Sequence, residues 1–250
     1  MLKNSYYLIL NSLKNSYYLI LNSLKNSYYL ILNSLKNSYY LDYNGDNTIN
    51  KIIFITGTPG VGKTTIANEL HTVLSKKHDS KLIKINDLAI ENNLVQGEDL
   101  EKGYKIIDIE GLSKKLNEVI DSFFNGNSSS ETSDNFKIAI VEGHLSHLCN
   151  LNDINCNADF KAVVLRLNPK ILQKRLQLRN YSEEKIHENL EAEALGVCSV
   201  EAYENCGKNV NEIDTSNLEI KNVLEIVEEI LFDKKEFPIG DIDFMQWILE

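Results

Sequence analysis

The sequence predicts an α/β fold in which a parallel sheet carries helices on both faces, and three observations predict it. Beyond Asn47, short apolar runs alternate with amphipathic helical stretches. A glycine-rich turn stands where the first of those runs passes into the first helix, at Gly57 to Gly62. A second apolar run, Phe136 to Val141, ends in an acid, Glu142.

The elements follow in chain order. Leu2-Lys3-Asn4-Ser5-Tyr6-Tyr7-Leu8-Ile9-Leu10-Asn11-Ser12 recurs unchanged at Leu13 to Ser23 and Leu24 to Ser34, then begins again at Leu35. This repeat holds most of the 12 tyrosines. An eleven-residue period is close to three helical turns. Its YYLIL block, however, would point apolar side chains all round a helix, and Asn-Ser pairs punctuate each unit like turns. A helix, short strands and a poorly ordered tail are all compatible with it. Residues 1–46 are therefore expected to form a non-catalytic extension, the alternative being an assembly tail of stacking identical segments. Residues 47–250 are expected to form the catalytic domain.

Within that domain, strands are expected at Lys51 to Thr56, Lys81 to Ile85, Phe136 to Glu142, Phe160 to Leu167 and Asn209 to Asp214. Helices are expected near Lys63 to Ser75, Ile109 to Phe124, Pro169 to Leu178, Ser182 to Tyr203 and Leu218 to Phe232. In the first helix Ile66, Leu70, Val73 and Leu74 make the buried stripe, with Asn68, Glu69 and Lys76 outside. Glu98 to Glu110 reads as a solvated, glutamate-rich face, and 125–135 as a polar surface insertion. The single tryptophan, Trp247, reads as a docking anchor for the C-terminal tail rather than a ligand contact.

Gly57-Thr58-Pro59-Gly60-Val61-Gly62-Lys63-Thr64-Thr65 is a complete Walker A phosphate loop. Glycines let backbone N–H groups converge on phosphate oxygens, and a helix beginning at the loop adds the positive end of its dipole. Lys63 reaches the β and γ phosphates, and Thr64 offers a hydroxyl to Mg²⁺. A glycine turn joining a strand to a helix would need neither the lysine nor the two threonines.

A triphosphate site also needs an acid beside the metal, at the end of a neighbouring buried strand. Glu142 occupies that place, and the following His144 is directed toward the phosphates. The alternatives are an exposed strand-end carboxylate for Glu142 and a helix cap or a satisfied polar contact for His144. His147 is a weaker candidate of the same stretch. Charge on a transferred phosphoryl group calls for placed cations, and Arg166, Arg175 and Arg179 supply three. Arg175 and Arg179, four apart, would share one helix face and clamp one anion. Asn180-Tyr181-Ser182 then breaks the helix, and Ser182 caps the next one, as in a small lid. On the acceptor side, Asp87, Leu88 and the backbone groups beside them follow the second strand; an N-capping aspartate explains Asp87 equally well.

Composition narrows the partners. The formal net charge of −10 excludes a surface that binds nucleic acid through bulk electrostatics. Cys149, Cys156, Cys198 and Cys206 show no C-x-x-C spacing and are expected to be reduced intracellular thiols rather than a zinc site. No apolar run approaches the ~18 residues that span a membrane, so a cytoplasmic protein is expected.

Four segments together resemble the adenylate kinases, and most closely the archaeal adenylate kinase-like group related to the eukaryotic nuclear isoenzyme, which includes a yeast ribosome-assembly factor. They are GTPGVGKTT at Gly57 to Thr65, INDLA at Ile85 to Ala89, VEGHLSHL at Val141 to Leu148, and LRNYSEEKIHENLEAE at Leu178 to Glu193. The resemblance implies a P-loop NTPase fold with a five-stranded parallel core, a monophosphate-binding region at about 84–107 and a short lid at about 178–188. It implies Mg-dependent transfer of the ATP γ-phosphate to AMP, ATPase activity, and a ribosomal protein partner in small-subunit maturation. By the same resemblance Gly60, Val61, Gly62, Lys63, Thr64, Thr65 and Arg179 bind ATP, and the family's D-x-H motif maps to Glu142 and His144. The aspartate of that motif is here a glutamate, one methylene longer. The lid's R-G-Y start is here Arg179-Asn180-Tyr181, and a lysine near the adenine in some relatives is here Leu218.

Overall fold

The computed structural model describes residues 49–99, 104–126, 136–179 and 181–249. The chain divides into two units, residues 1–47 and 48–250. The repeat extension, Asn180 at the lid start and residues 127–135 of the polar insertion all lie outside the described residues.

The elements are β1 (Asn50–Thr56), α1 (Lys63–Leu74), β2 (Asp79–Lys84), α2 (Ile85–Glu91), β3 (Val95–Asp99), β4 (Tyr104–Ile107) and α3 (Ile109–Asn125). They continue with β5 (Lys137–Glu142), β6 (Ala158–Arg166), α4 (Pro169–Gln177), α5 (Glu183–Ala194), α6 (Val197–Cys206), β7 (Val210–Asp214), α7 (Ile220–Leu231) and α8 (Gln246–Leu249). Five strands form one parallel sheet in the order β2-β5-β1-β6-β7. All five are the strands expected from the apolar runs.

Period-two alternation distributes the central strands between two cores. Ile53, Ile55, Ile138, Ile140, Val163 and Leu165 face one side, where Leu70 and Leu74 of α1, Leu172 and Leu176 of α4, and Val223 and Val227 of α7 cover them. Ile52, Phe54, Ala139, Val141, Ala162 and Val164 face the other, against Leu112, Leu116 and Ile120 of α3 and Ala202 of α6. There Phe54 meets Phe160 edge-on at 4.8 Å. Truncating Ile140, fully buried in the first core, to Ala removes about 2–5 kcal/mol. Trp247 is partly buried against the first core, its ring centroid 6.1 Å from that of His187 on α5.

Local chemistry sets the helix boundaries. Asp108 caps α3 by accepting from Gly111 N at 2.9 Å. Asn168 caps α4 ahead of Pro169 at the first helical position, and Ser182 caps α5 by accepting from Lys185 N at 3.3 Å, as expected for Ser182.

One expectation is corrected and one is extended. The single helix expected from Ser182 to Tyr203 is broken into α5 and α6 at Leu195-Gly196. Gly196 is left-handed at φ 67°, and a Cβ there would come 3.3 Å from an Arg166 nitrogen, so glycine is required where the two helices turn past that arginine. The glutamate-rich stretch is largely exposed where it is described, as a solvated face is, and it also holds β4 and the end of β3, which pair antiparallel with an irregularity between Val95 and Gly97. Helix α3 begins only at Ile109. Its clustered charges hid a hairpin whose side chains are largely exposed, so no strict alternation marked it.

The strand order places the site. From β1 the chain crosses to β2 on one side of the sheet, and after β5 it moves to β6 and β7 on the other. A crevice therefore opens at the carboxyl ends of β1 and β5, where the connections part, and such a switch point is where open α/β sheets bind ligands.

Candidate active site

The phosphate loop leaves the carboxyl end of β1. Gly57, Gly60 and Gly62 stand at φ 131°, 98° and 115°. A Cβ on Gly57 would come 2.4 Å from the carbonyl oxygen of Leu165, so the loop root packs directly on the neighbouring strand β6. Helix α1 starts at Lys63 with Gly62 as its N-cap and no side-chain cap, which leaves its first N–H groups directed to the loop.

Lys63 is 8% exposed and folds back on its own loop, donating to Gly57 O at 2.8 Å and Thr58 O at 3.0 Å. Burial pushes its ammonium down to about 8, and Arg179 adds to that depression. A strong anion in the crevice would reverse the balance by giving the charge a partner.

Register brings the acid of β5 to the same place. Glu142 pairs across the sheet with Ile55 of β1 and with Lys84 of β2. It is buried, and its Oε1 accepts the Thr64 hydroxyl at 2.8 Å. The alternative of an exposed strand-end carboxylate is thereby excluded. His144 is half-buried, and the turn beyond it, Ser146 to Leu148, is capped by Leu145, so His144 is not a helix cap. Burial, and then the Lys63 charge, push its pKa down to about 4, which keeps the ring neutral near neutral pH.

The three arginines divide. Arg166 is 2% exposed and locked: Nε donates to Glu193 Oε1 at 2.9 Å, Nη2 to Glu193 O at 2.6 Å, and Nη1 to Glu212 Oε1. It is therefore a structural ion pair and not one of the cations available to a phosphoryl group. Arg175 reaches back to the loop, Nη1 donating to Val61 O at 3.1 Å and standing 3.5 Å from Gly60 O. Arg179 is exposed beyond the end of α4, near enough to act on Lys63. The expected shared helix face is thus interrupted, because α4 ends at Gln177.

On the acceptor side, Asp87 lies inside the first turn of α2 and is exposed, while Leu88 is buried. Lys84 is the N-cap, so the capping explanation of Asp87 is corrected. Thr65 is exposed on the first turn of α1. Near the end of β7, Thr215 donates its hydroxyl to Arg166 O at 2.8 Å and Ser216 donates its own to Asp214 Oδ1 at 2.5 Å, so both hydroxyls are used internally.

Sequence reasoning underrated one group and missed two. His147 is buried behind the loop, its Nδ1 2.6 Å from Thr56 Oγ1 and its Nε2 3.1 Å from Glu201 Oε2. The second histidine of VEGHLSHL was its only signal, and nothing local pointed to Thr56 or Glu201.

The oxygens of Thr64 and Glu142 are hard donors of the kind Mg²⁺ takes. Among the described residues no group of three or more His, Cys, Asp or Glu could hold a metal ion. The four cysteines are free thiols. No described helix is long and apolar enough to cross a membrane.

Comparisons with known proteins give the family. Residues 53–196 match a family model described as an AAA domain. A protein of Methanothermobacter thermautotrophicus named "Putative adenylate kinase" is 39% identical over 198 residues, 79% of this chain and 99% of that relative. Proteins of the same name from Archaeoglobus fulgidus and Methanococcus maripaludis are 37% and 38% identical, over 78% of this chain and 92% and 96% of theirs. With a phosphate loop and a match that spans 79% of this chain and 99% of the first of these relatives, this protein belongs to the adenylate kinase-like P-loop family that these archaeal proteins represent.

Proposed function

We propose that the protein is an ATP:AMP phosphotransferase, transferring the γ-phosphoryl group of Mg-ATP to an α-phosphate oxygen of AMP and giving two ADP. The observation that carries this reading is the hydrogen bond from Thr64 to Glu142, which sets a hydroxyl and a carboxylate 2.8 Å apart beside the Lys63 ammonium. When bound, Mg²⁺ would neutralise phosphate charge there, and Thr64 and Glu142 are the residues that would hold it.

The rest is positioning and electrostatics by this chain. Gly60, Val61 and Gly62 present loop N–H groups, and Thr65 opens the helix against the same phosphates. Lys63, held by the carbonyls of Gly57 and Thr58, turns its remaining N–H toward the phosphate oxygens. Arg175 and Arg179 close over the charge from α4 and the segment beyond it. His144, held neutral, contributes a ring hydrogen bond rather than a second cation. Asp87, Leu88 and the hairpin β3–β4 make up the acceptor side, and residues 178–188 the lid.

A phosphoryl-transfer screen with Mg-ATP and AMP, dAMP, CMP or UMP tests this directly. ADP formation dependent on AMP is expected. ATP hydrolysis indifferent to every monophosphate, together with tight capture of a small-subunit ribosomal protein, would instead identify an ATP-driven assembly factor. That second role is supported by the family resemblance alone.

A further inference from the structure

A chain of three hydrogen-bonded groups leads from the root of the loop to α6. Thr56, the last residue of β1, is fully buried, and its hydroxyl lies 2.6 Å from Nδ1 of His147. His147 is 1% exposed, and its Nε2 lies 3.1 Å from Oε2 of Glu201, a half-exposed residue of α6. The chemistry assigns every role. A carboxylate only accepts, so Nε2 carries the hydrogen; Nδ1 is then an acceptor, and Thr56 O–H donates to it. Burial, which pulls the His147 pKa below its ordinary value against the upward pull of Glu201, supports the neutral ring this assignment needs.

Helix α6 touches the loop root a second time. Cys198, one turn before Glu201, has its sulfur 4.0 Å from Thr58 Oγ1. Thr56 and Thr58 flank Gly57, and the carbonyls of Gly57 and Thr58 are the two that hold Lys63. On its other side Gly57 is pressed against Leu165 O. The loop root is thus held between β6 and α6, with the carbonyls that place Lys63 next to the residues so held.

We propose that Glu201, His147 and Thr56 form a positioning relay that fixes the root of the phosphate loop, and through it the Lys63 ammonium, for phosphoryl transfer. None of the three is a catalytic residue. The inference rests on the phosphate-loop reading but not on AMP as the acceptor.

The test uses the full chain, with rates taken from whichever reaction the wild type performs, ADP formation with AMP or ATP hydrolysis. Thr56→Val keeps the branched shape and removes the donor. It is expected to lower kcat about tenfold, as a small displacement of a reacting group does, with KM for Mg-ATP little changed and the melting temperature lowered by a few degrees because the buried Nδ1 loses its donor. Thr56→Ser should restore the wild-type rate. Glu201→Ala should lower kcat similarly, and the double variant Thr56→Val/Glu201→Ala should be no slower than the worse single variant, since both break one chain. Nitrogen NMR of nucleotide-free protein should find His147 as the Nε2–H tautomer. An Nδ1–H tautomer, a wild-type kcat for Thr56→Val, or losses that add in the double variant would overturn the relay. A wild type that hydrolyses ATP but ignores AMP would overturn the kinase reading and leave all of these relay measurements decisive.

Discussion

Two charged regions sit at the carboxyl ends of neighbouring strands, and they differ in how their charges are partnered. The hub behind β6 is closed. Arg166 is bonded to Glu193 and Glu212, Ser199 donates to Glu212 Oε1 at 2.5 Å, Leu167 N donates to Glu193 Oε1 at 2.9 Å, and Gly240 N donates to Glu212 Oε2 at 3.2 Å. The ring of Phe244 covers the guanidinium at 5.3 Å. The crevice in front of the loop is open in the opposite sense. Lys63, Arg175 and Arg179 lie about the loop, two of them resting on loop carbonyls, and of the two carboxylates that act on Lys63, Glu142 accepts from Thr64 and Glu193 is bonded to Arg166. A closed hub holds elements together, whereas cations that share a crevice and lean on neutral carbonyls are waiting for an anion.

That contrast can be broken most sharply at Lys63. Lys63→Ala is expected to reduce turnover about a thousandfold or more, beyond the loss of a single oxyanion donor, because it removes the only buried cation of the loop. Steady-state ADP formation measures it, and a variant retaining near-normal rates would sink the assignment of the crevice. Arg166→Met should do the reverse, costing about 3–5 kcal/mol of stability by stranding two buried carboxylates. Urea unfolding reads that loss, while the folded fraction should bind Mg-ATP as the wild type does. Reduced affinity per folded molecule would show that the hub is part of the site. The smallest effect concerns the thiols. Burial pushes Cys149 and Cys206 up to about 12, so alkylation by iodoacetamide at neutral pH should be far slower than for a free thiol. Fast labelling in the native protein would mean that the second core opens readily on the α6 side.

Much of this was legible in the chain because it rests on local periodicity and spacing. The loop G-x-x-x-x-G-K-T, the apolar runs that became β1, β5 and β6, and the acid ending β5 are all defined by near neighbours. Dihedral preferences and side-chain alternation act over a few residues. The hairpin β3–β4 and the break at Gly196 were not legible. The first has no buried face to impose alternation, and the second is required by Arg166, which lies 30 residues earlier in the chain and on another strand.

The sequence by itself determined that a triphosphate-binding loop joins the first strand to the first helix and that Glu142 ends the strand beside it. Only the tertiary structure decided which charges remain available to that loop. Arg166, Arg175 and Arg179 look alike in one basic stretch, but Arg166 is claimed by carboxylates 27 and 46 residues away, Arg175 by the loop, and Arg179 by neither. Charge pairing is settled by which distant elements the fold brings within a few ångströms, and no local pattern encodes that.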